Sequence, residues 1–531
     1  MLNELLHYSR MAAGIIEAQR QSYPADPVAY LRGALENRES SFLTMAQRVI
    51  YSNPQNPFHR MLDIAGCAFG DLEAQVRRAG LESALSQLRS AGVYLTHDEW
   101  KGKTPIVRGG VAVAAAPEQF RNPLAKGWLT GQSSGSSGKP VRTSRSTAAL
   151  VHGAMYQKLR AQAMQEAIGA DKLVWIDVKP ILPAPMGLNS VLRAHKIGAP
   201  VERWFTAASR EHWHYRAMTR AMAGLGNLFG ASAPYPEYLP QNDFNPAAEF
   251  IARRNAQGKI CVAHGIASPM VRIAAAALEK GLDISGSVFI CGGEALTPAK
   301  RAIFERAGVH PLSNYTISEI GNIGAACLEM TGSCVHWFED AVAVVEVPRP
   351  GSRFKSLHFT TLAAHSPNMF INIEMDDDGA VEPAMCDCAF YRAGFRRRIN
   401  HIASFGKMSP QGSTFHCTDL ASVMEHELPQ RLGGRPGDFQ LIECEASNGQ
   451  TQVRLLVSPR TGLSDPTRVR DAFLQVMRPR WSGAVATREW IHSEGIEVAF
   501  TEPLVTHTGK VHPVRLLASL PADQMEAASG R

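Results

Sequence analysis

An α/β protein is what this sequence predicts: a large, multi-subdomain α/β N-terminal domain entered through a helical N-terminal segment, followed by a small, mobile α+β C-terminal domain. Three observations predict it. Leu5, Met11, Ile15 and Ile16, then Phe42-Leu43 through Val49-Ile50, then Leu81 through Leu88 recur at helical spacing. From about Gly109 onward, apolar runs of buried-strand length alternate with helical stretches, as in Leu173–Val178, Ile260–Ala263 and Ser287–Cys291. Past Gly412 the texture changes to shorter strands and helices that make a unit of their own. A chain of 531 residues exceeds what one hydrophobic core serves, so more than one domain is expected.

In chain order, residues 1–120 read as a mainly helical lead-in to a large domain over 1–405. A helix over Met270–Lys280 is closed by Gly281. Val335–Val347 alternates or runs apolar as paired strands do, and Met369–Ile373 leads into Asp376-Asp377-Asp378-Gly379, read as an acidic turn. Ser404-Phe405-Gly406-Lys407 opens a Gly/Pro-containing hinge into the small domain, 406–521. Within it, a helix over Asp419–Leu428, strands at Phe439–Ala446 and Val453–Ser458, a helix over Thr467–Met477 and a strand at Gly495–Phe500 are expected. Residues 522–531 read as a disordered tail.

Lys and Arg number 55 against 49 Asp and Glu, an excess of six that makes no case for a nucleic-acid partner. Glu4, Arg10, Glu17 and Arg20 interrupt the first twenty residues, and no apolar run is of membrane-spanning length. The expectation is a cytoplasmic protein without a membrane partner. Nine scattered cysteines read as reduced thiols. A zinc site could be drawn from Cys386 and Cys388 with His401, His416 and Cys417. The CxC spacing and the lack of a second CxxC weigh against zinc and toward free thiols.

The densest chemical signal is Ser133-Ser134-Gly135-Ser136-Ser137-Gly138-Lys139-Pro140. Glycines let backbone N–H groups turn toward an anion, hydroxyls add donors, and a lysine adds a mobile positive charge, so the run reads as a nucleotide-phosphate loop. It is not a Walker loop. Ser133 stands where that pattern needs glycine, and Pro140 where it needs a hydroxyl for Mg²⁺. The competing reading is a flexible Gly/Ser linker. Four further segments follow: Cys291-Gly292-Gly293-Glu294-Ala295-Leu296 after a strand, Asn314-Tyr315-Thr316-Ile317-Ser318-Glu319, Met369 through Asp377, and Pro503 through Val511 with Gly509-Lys510 in a loop. Singly each has a plain structural reading: a turn, a helix cap, a solvated acidic triplet, a chance Gly-Lys pair.

In this order they resemble the adenylate-forming superfamily of acyl-CoA synthetases, adenylation domains and luciferases, and within it the phenylacetate-CoA ligase-like branch. The resemblance runs from about Asn122 to Leu517 and includes Val335-His336-Trp337-Phe338-Glu339-Asp340, similar to that branch's His-x-x-Glu-Asp strand pair. It implies activation of a small-molecule carboxylic acid, aryl or apolar, with ATP and Mg²⁺ to an acyl-AMP, then transfer to a thiol, with CoA as the leading acceptor. Ser133, Ser134, Gly135, Ser136, Ser137, Gly138 and Lys139 would hold phosphates. Tyr315 and Thr316 would face adenine opposite Gly292, Gly293 and Glu294, and Asp377 would take the ribose hydroxyls. Ser318 would touch the α-phosphate, Glu319 would ligate Mg²⁺, and Lys510 would bridge carboxylate and α-phosphate. His264, Gly265, Ile290, Cys291, Ala295 and Ile317 would line the acyl pocket, although His264 reads equally as a core histidine and Cys291 as packing.

The chain departs from the pattern in four places. Thr316 replaces a glycine, Asn372, Ile373 and Asp376 replace arginine, tyrosine and glycine, the hinge keeps only a basic residue, and His512-Pro513 follows Gly-Lys-Val. The choice of Asp377 over Asp376 rests on a gapless alignment. Transfer to an acyl carrier protein or an amine, and an inactive nucleotide-binding scaffold, stay open as alternatives. Family habit suggests a homodimer. Arg396-Arg397-Arg398 reads as a solvated basic face more readily than as a phosphate dock.

Overall fold

The computed structural model describes residues 2–517 apart from 101, 103, 133–141, 208–212, 240–242, 350–353, 405–406, 409–414, 446–450, 478–495 and 507–508. The hinge residues Phe405 and Gly406 and the tail over 522–531 therefore lie outside the described residues. Among the described residues, no helix is long and apolar enough to cross a membrane.

One twelve-stranded sheet organises the larger part. Its strands are β1 Leu173–Val178, β2 Val201–Ala207, β3 Pro236–Leu239, β4 Ile260–Ile266, β5 Val288–Gly292, β6 His310–Ile317, β7 Gly321–Ala325, β8 Val335–Trp337, β9 Val342–Val347, β10 Lys355–Thr361, β11 Ile373–Pro383 and β12 Arg397–Ser404. They lie in the order β9-β10-β11-β12-β8-β7-β6-β5-β4-β1-β2-β3. From β3 to β6 every pairing is parallel; from β6 to β9 every pairing is antiparallel. The parallel half thus has the order 3-2-1-4-5-6 of a doubly wound sheet, whose ligand crevice lies beyond the carboxyl ends of its strands.

Burial on both faces explains why the parallel strands are apolar runs without clean alternation. On one face the helices Asn245–Asn255 and Ala267–Lys280 pack Phe250, Ile251, Met270 and Ile273 against Phe205, Ala263 and Phe289. On the other, the helix Thr147–Ile168 packs Met155, Leu159 and Met164 against Val262, Val288 and Ile290. Ser146 caps that helix by accepting the Ala149 N–H at 3.2 Å. Gly281 ends the helix Ala267–Lys280 at φ +62, the left-handed conformation that glycine adopts without a Cβ penalty.

The helical lead-in has seven α-helices between Leu2 and Trp100; the first packs Met11 and Ile15 against Leu188 and Trp204, and those from Arg38 onward cover the antiparallel half. Phe42, Val49, Leu81 and Leu85 join Trp337, Phe359, Phe370 and Ile373 in one core. Trp100 meets Phe370 edge-on at 4.9 Å between ring centroids, a contact worth about 0.5–1.5 kcal/mol beyond the area it buries.

Two expectations are corrected here. Val335–Val347 holds two strands, but they do not pair with each other: β8 lies between β7 and β12, and β9 pairs with β10 at the sheet's far edge. Asp376-Asp377-Asp378-Gly379 is not a turn but lies inside β11, with a register shift between Asp378 and Ala380. Three adjacent carboxylates can share a strand here because each has a partner. Arg349 reaches Asp376 and Asp378, both at 3.2 Å, and Tyr315 donates to Asp377.

A second, four-stranded sheet forms past residue 415, with β13 Phe439–Glu445, β14 Thr451–Val457, β15 Ile496–Ala499 and β16 Val514–Leu517 in the order β15-β14-β13-β16. Its own core joins Leu420, Val423, Leu441, Leu455, Val469 and Phe473. The expected strand and helix positions in this part fall within two or three residues of those observed, apart from the helical segment, which begins at Cys417 and runs to Leu432.

Candidate active site

The carboxyl ends of β4, β5 and β6 carry the residues that the sequence singles out. β4 ends on His264-Gly265-Ile266, β5 on Cys291-Gly292 followed by Gly293-Glu294, and β6 on Tyr315-Thr316-Ile317 followed by Ser318-Glu319. Gly265 has to be glycine, since a Cβ there would lie 2.6 Å from the Val178 carbonyl oxygen. Gly293 sits at φ +75, a conformation that glycine adopts without a Cβ penalty.

Glu294 is held by partners from two helices. The Ser268 hydroxyl donates to it at 2.5 Å and Lys300 at 3.0 Å, and Lys300 also reaches Glu425 of the small unit at 3.2 Å. The Thr297 hydroxyl donates to Glu425 at 2.5 Å. Burial alone would raise the Glu294 pKa, but Lys300, His512, Ser268 and Lys510 outweigh it and hold the carboxylate below its ordinary range. Burial opposes charge on Lys300 as well, and the two carboxylates overcome it and raise its pKa. The result is a buried Glu294–Lys300–Glu425 triad that joins the end of β5 to the small unit.

Lys510 arrives in the same place. It lies in a turn of the small unit where the Gly509 N–H donates to Thr506 O at 2.8 Å and the Lys510 N–H to the Thr506 hydroxyl at 3.0 Å. Thr506 N–H closes the turn onto Lys510 O at 2.9 Å, and Gly509 sits at φ +82. The side chain runs so close to Gly293 that a Cβ built on that glycine would be 3.2 Å from the Lys510 Nζ. Burial lowers the Lys510 pKa; Glu294 and Glu319 favour its charged form and Lys300 opposes it. His512, two residues on, is pushed down to about 4 by burial, although Glu294 favours its charged form.

At the end of β6 the Tyr315 hydroxyl donates to Asp377 at 2.6 Å, joining the adenine and ribose candidates directly. Burial, then Asp377, raises the Tyr315 pKa well above its ordinary value, so the phenol stays a donor. Burial and the neighbouring charge of Asp377 push Asp376 up to about 7, although Arg349 draws it down. Alternation along β11 sends Asp376 and Asp378 toward Arg349 and Asp377 toward Tyr315, which distinguishes the two candidate aspartates by face. Glu319 is buried, and its backbone carbonyl accepts from Asn368 Nδ2 at 2.7 Å. Thr316 lies within 3.5 Å of Asn322 Oδ1, and Ser318 stands in the tight turn between β6 and β7.

The six acyl-pocket candidates do not converge. His264 and Ile290 line a small cavity with Arg160, Trp175, Asp177 and Ser190. Cys291 points the other way, into the core beside Phe289 and Met270, because successive strand residues face opposite sides. Burial raises its thiol pKa, in keeping with packing and not attack. Ile317 packs on the lead-in core, and Ala295 lies half-buried in the loop after β5. The cavity is also more polar than expected. Lys179 pairs with Asp177 at 3.0 Å, and burial, then Lys179, Arg160 and Arg193, push His264 well below its ordinary range.

Ser133–Lys139 lie outside the described residues. Their flanks pair as antiparallel strands, Leu129–Gln132 against Arg142–Arg145. Lys300, Glu425 and Arg349 were not singled out in the sequence. Polar positions just inside helices or on edge strands carry no pattern that separates a buried partner from a solvated charge. Arg397 and Arg398 are ion-paired with Glu339, Glu82 and Glu382, as befits a charged face and not a dock. Cys386 and Cys388, read as plain thiols, gather with Cys327 and His336, whereas His401 stacks on Phe354.

No protein-family model matches the chain, and no curated protein does. Among solved structures it is similar to the anthranilate CoA ligase AuaEII in complex with anthranoyl-AMP, at 11% identity over 96% of this chain and 98% of that one, TM-score 0.41. It is similar to the amide bond synthetase McbA from Marinactinospora thermotolerans, at 11% identity over 91% and 98%, TM-score 0.40. A third is the O-succinylbenzoate Coenzyme A synthetase MenE from Bacillus subtilis with ATP and magnesium, at 10% identity over 84% and 86%, TM-score 0.39. At such identities and scores the functional reading rests on the chain's own geometry.

Proposed function

We propose that the chain activates a carboxylic acid with ATP·Mg²⁺, forming an acyl-AMP and releasing pyrophosphate, and then passes the acyl group to a thiol, with CoA the leading acceptor. The observation that carries this reading is the placement of Lys510. A lysine from a separate small unit is delivered beside Gly293 and Glu294 at the end of β5, within the field of Glu319 at the end of β6.

The chemistry requires such a cation. Attack of a carboxylate on the α-phosphate brings two anions together while a third, pyrophosphate, departs, so charge neutralisation is the main barrier to lower. In this reading Lys510 holds the carboxylate and α-phosphate oxygens together, and Ser318 donates to the α-phosphate. The flat, side-chain-free Gly292-Gly293 stretch and Tyr315 bracket the adenine, and Tyr315 orients Asp377 for the ribose. Glu319, a buried carboxylate oxygen donor, suits Mg²⁺, which supplies charge neutralisation on the phosphates when bound. Ser133–Lys139 are assigned the β- and γ-phosphates on sequence grounds. The triad of Glu294, Lys300 and Glu425 fixes the small unit so that Lys510 is held in reach.

Pyrophosphate exchange into ATP with a panel of aryl, alkyl and dicarboxylic acids tests the reading, with wild type beside Lys510→Ala and product analysis with CoA, an amine or a carrier protein present. Acid-dependent exchange that collapses in Lys510→Ala, with acyl-CoA as product, is expected. Exchange with no acid on the panel overturns it in favour of a scaffold, and product formed only with amine or carrier moves the acceptor.

A further inference from the structure

We propose that Cys327, His336, Cys386 and Cys388 bind one zinc ion in a closed tetrahedral site that is structural and separate from the active site. Their ligand atoms all lie within 4.8 Å of one another. Cys386 Sγ is 4.0 Å from Cys327 Sγ and 3.7 Å from Cys388 Sγ, and His336 Nε2 is 3.3 Å from Cys386 Sγ and 3.0 Å from Cys388 Sγ. With Zn–S near 2.3 Å and Zn–N near 2.0–2.1 Å, a tetrahedron has S···S edges of about 3.8 Å and S···N edges of about 3.6 Å. Three of these four separations lie within about 0.3 Å of those edges and the His336–Cys388 one is about 0.6 Å shorter, so small side-chain shifts bring the four atoms to ligating positions.

The histidine is set up for this role. His336 is fully buried, and its Nδ1 lies 2.9 Å from the Phe395 carbonyl oxygen. A carbonyl only accepts, so Nδ1 carries the proton and Nε2 turns its lone pair toward the sulfurs, the outer hydrogen bond that metal-bound histidines make. Three thiols and one imidazole form a complete ligand set with no open position, which is the mark of a structural and not a catalytic zinc. On binding, the three thiols release three protons to solvent and bind as thiolates, while the imidazole binds neutral.

The position explains what the ion would do. Cys327 follows β7, His336 lies on β8, and Cys386 and Cys388 lie in the connection from β11 to β12. Zinc would clamp that connection to the neighbouring strands. β11 runs from Asp377 to Pro383 before this connection, so the clamp is about 20 Å along the hairpin from the nucleotide end at the strand rise of about 3.3 Å. It would stiffen the hairpin whose other end presents Asp377.

The test uses the full chain, purified under reducing conditions from zinc-supplemented culture. Metal content by mass spectrometry should be about one zinc per chain in wild type and in Cys334→Ser, whose sulfur faces Met330, and below about a tenth in Cys386→Ser and Cys388→Ser. If the variants fold poorly, Co²⁺ exchanged into wild type gives a second readout, a thiolate-to-cobalt charge-transfer band with tetrahedral ligand-field intensity. The wild-type melting temperature should also fall on chelation. Wild type that holds no zinc after reconstitution overturns the proposal, as does iron in its place. Full zinc in both variants, or an intact mass two hydrogens short that reveals a disulfide, overturns it equally.

Discussion

Replacing Lys510 by alanine removes one cation from a place where it faces Glu294 and Glu319 and lies against the Gly293 backbone. Loss of one preorganised group aimed at developing charge in a dry site costs about 10²–10³ in rate, or roughly 3–4 kcal/mol. The expected result is a 10²- to 10³-fold drop in kcat/KM for acid-dependent pyrophosphate exchange. Transfer from a chemically prepared acyl-AMP should fall far less, because the α-phosphate attack is then already complete. The pH profile is the second readout. Burial lowers the Lys510 pKa from 10.5, so the alkaline limb of kcat/KM should lie below that value, as the amine loses the proton that makes it useful. The linkage has the matching sign: docking a charged lysine carries a penalty that is full below the docked pKa and is relieved as pH rises through it toward the undocked one. Lys510→Arg, protonated across this range, should lose that limb. A drop of less than about threefold in exchange, or equal loss in both half-reactions, would refute the assignment, since a transition-state contact must cost more in its own step.

Tyr315→Phe removes the donor to Asp377, a hydrogen bond to a charged group worth about 1.5–3 kcal/mol before water replaces it; KM for ATP should rise about 5- to 20-fold with kcat less changed. An unchanged KM would separate the pair from nucleotide binding. Glu425→Ala breaks the buried tie between the small unit and Lys300; truncating one partner of such a pair costs about 2–5 kcal/mol, so exchange should fall at least tenfold, and further than in Thr297→Ala. Asn372→Ala strands the Leu85 and Val93 carbonyls and loses a side chain suited to φ +49. Urea unfolding should show a loss of about 2–4 kcal/mol with exchange in the remaining folded enzyme intact.

Local pattern made much of this legible. Leu173–Val178 forms a strand over the expected range, and Gly281 caps its helix as its placement predicts, because a short, mostly apolar run and a glycine after a periodic stretch are local signals. The pairing of the antiparallel strands was not legible. β8 finds β12 across three intervening strands in sequence, and nothing in Val335-His336-Trp337 encodes that partner. The period-two alternation that separates Cys291 from Ile290 was present in the sequence and rules out both lining one pocket. Cys386 and Cys388 stood out in the sequence as a possible metal pair, but their neighbours Cys327 and His336 did not: Cys327 stands 59 positions from Cys386 and His336 stands 52 from Cys388, so no spacing rule joins them.

Where the sheet changes from parallel to antiparallel, the candidate site residues concentrate, and the cause is geometric. Up to β6, each strand ends at the crevice side and is followed by a loop there, so Gly293-Glu294 and Ser318-Glu319 open onto one surface. At β6 the chain turns straight back through Ser318-Glu319 into β7, with a register shift between Tyr315 and Thr316. That irregularity turns the Tyr315 side chain toward β11, where Asp377 meets it. The antiparallel half can therefore supply a carboxylate to a crevice built by the parallel half. Its hairpin β11–β12 must then be held in register at the distant end, the place where three cysteines and a histidine converge.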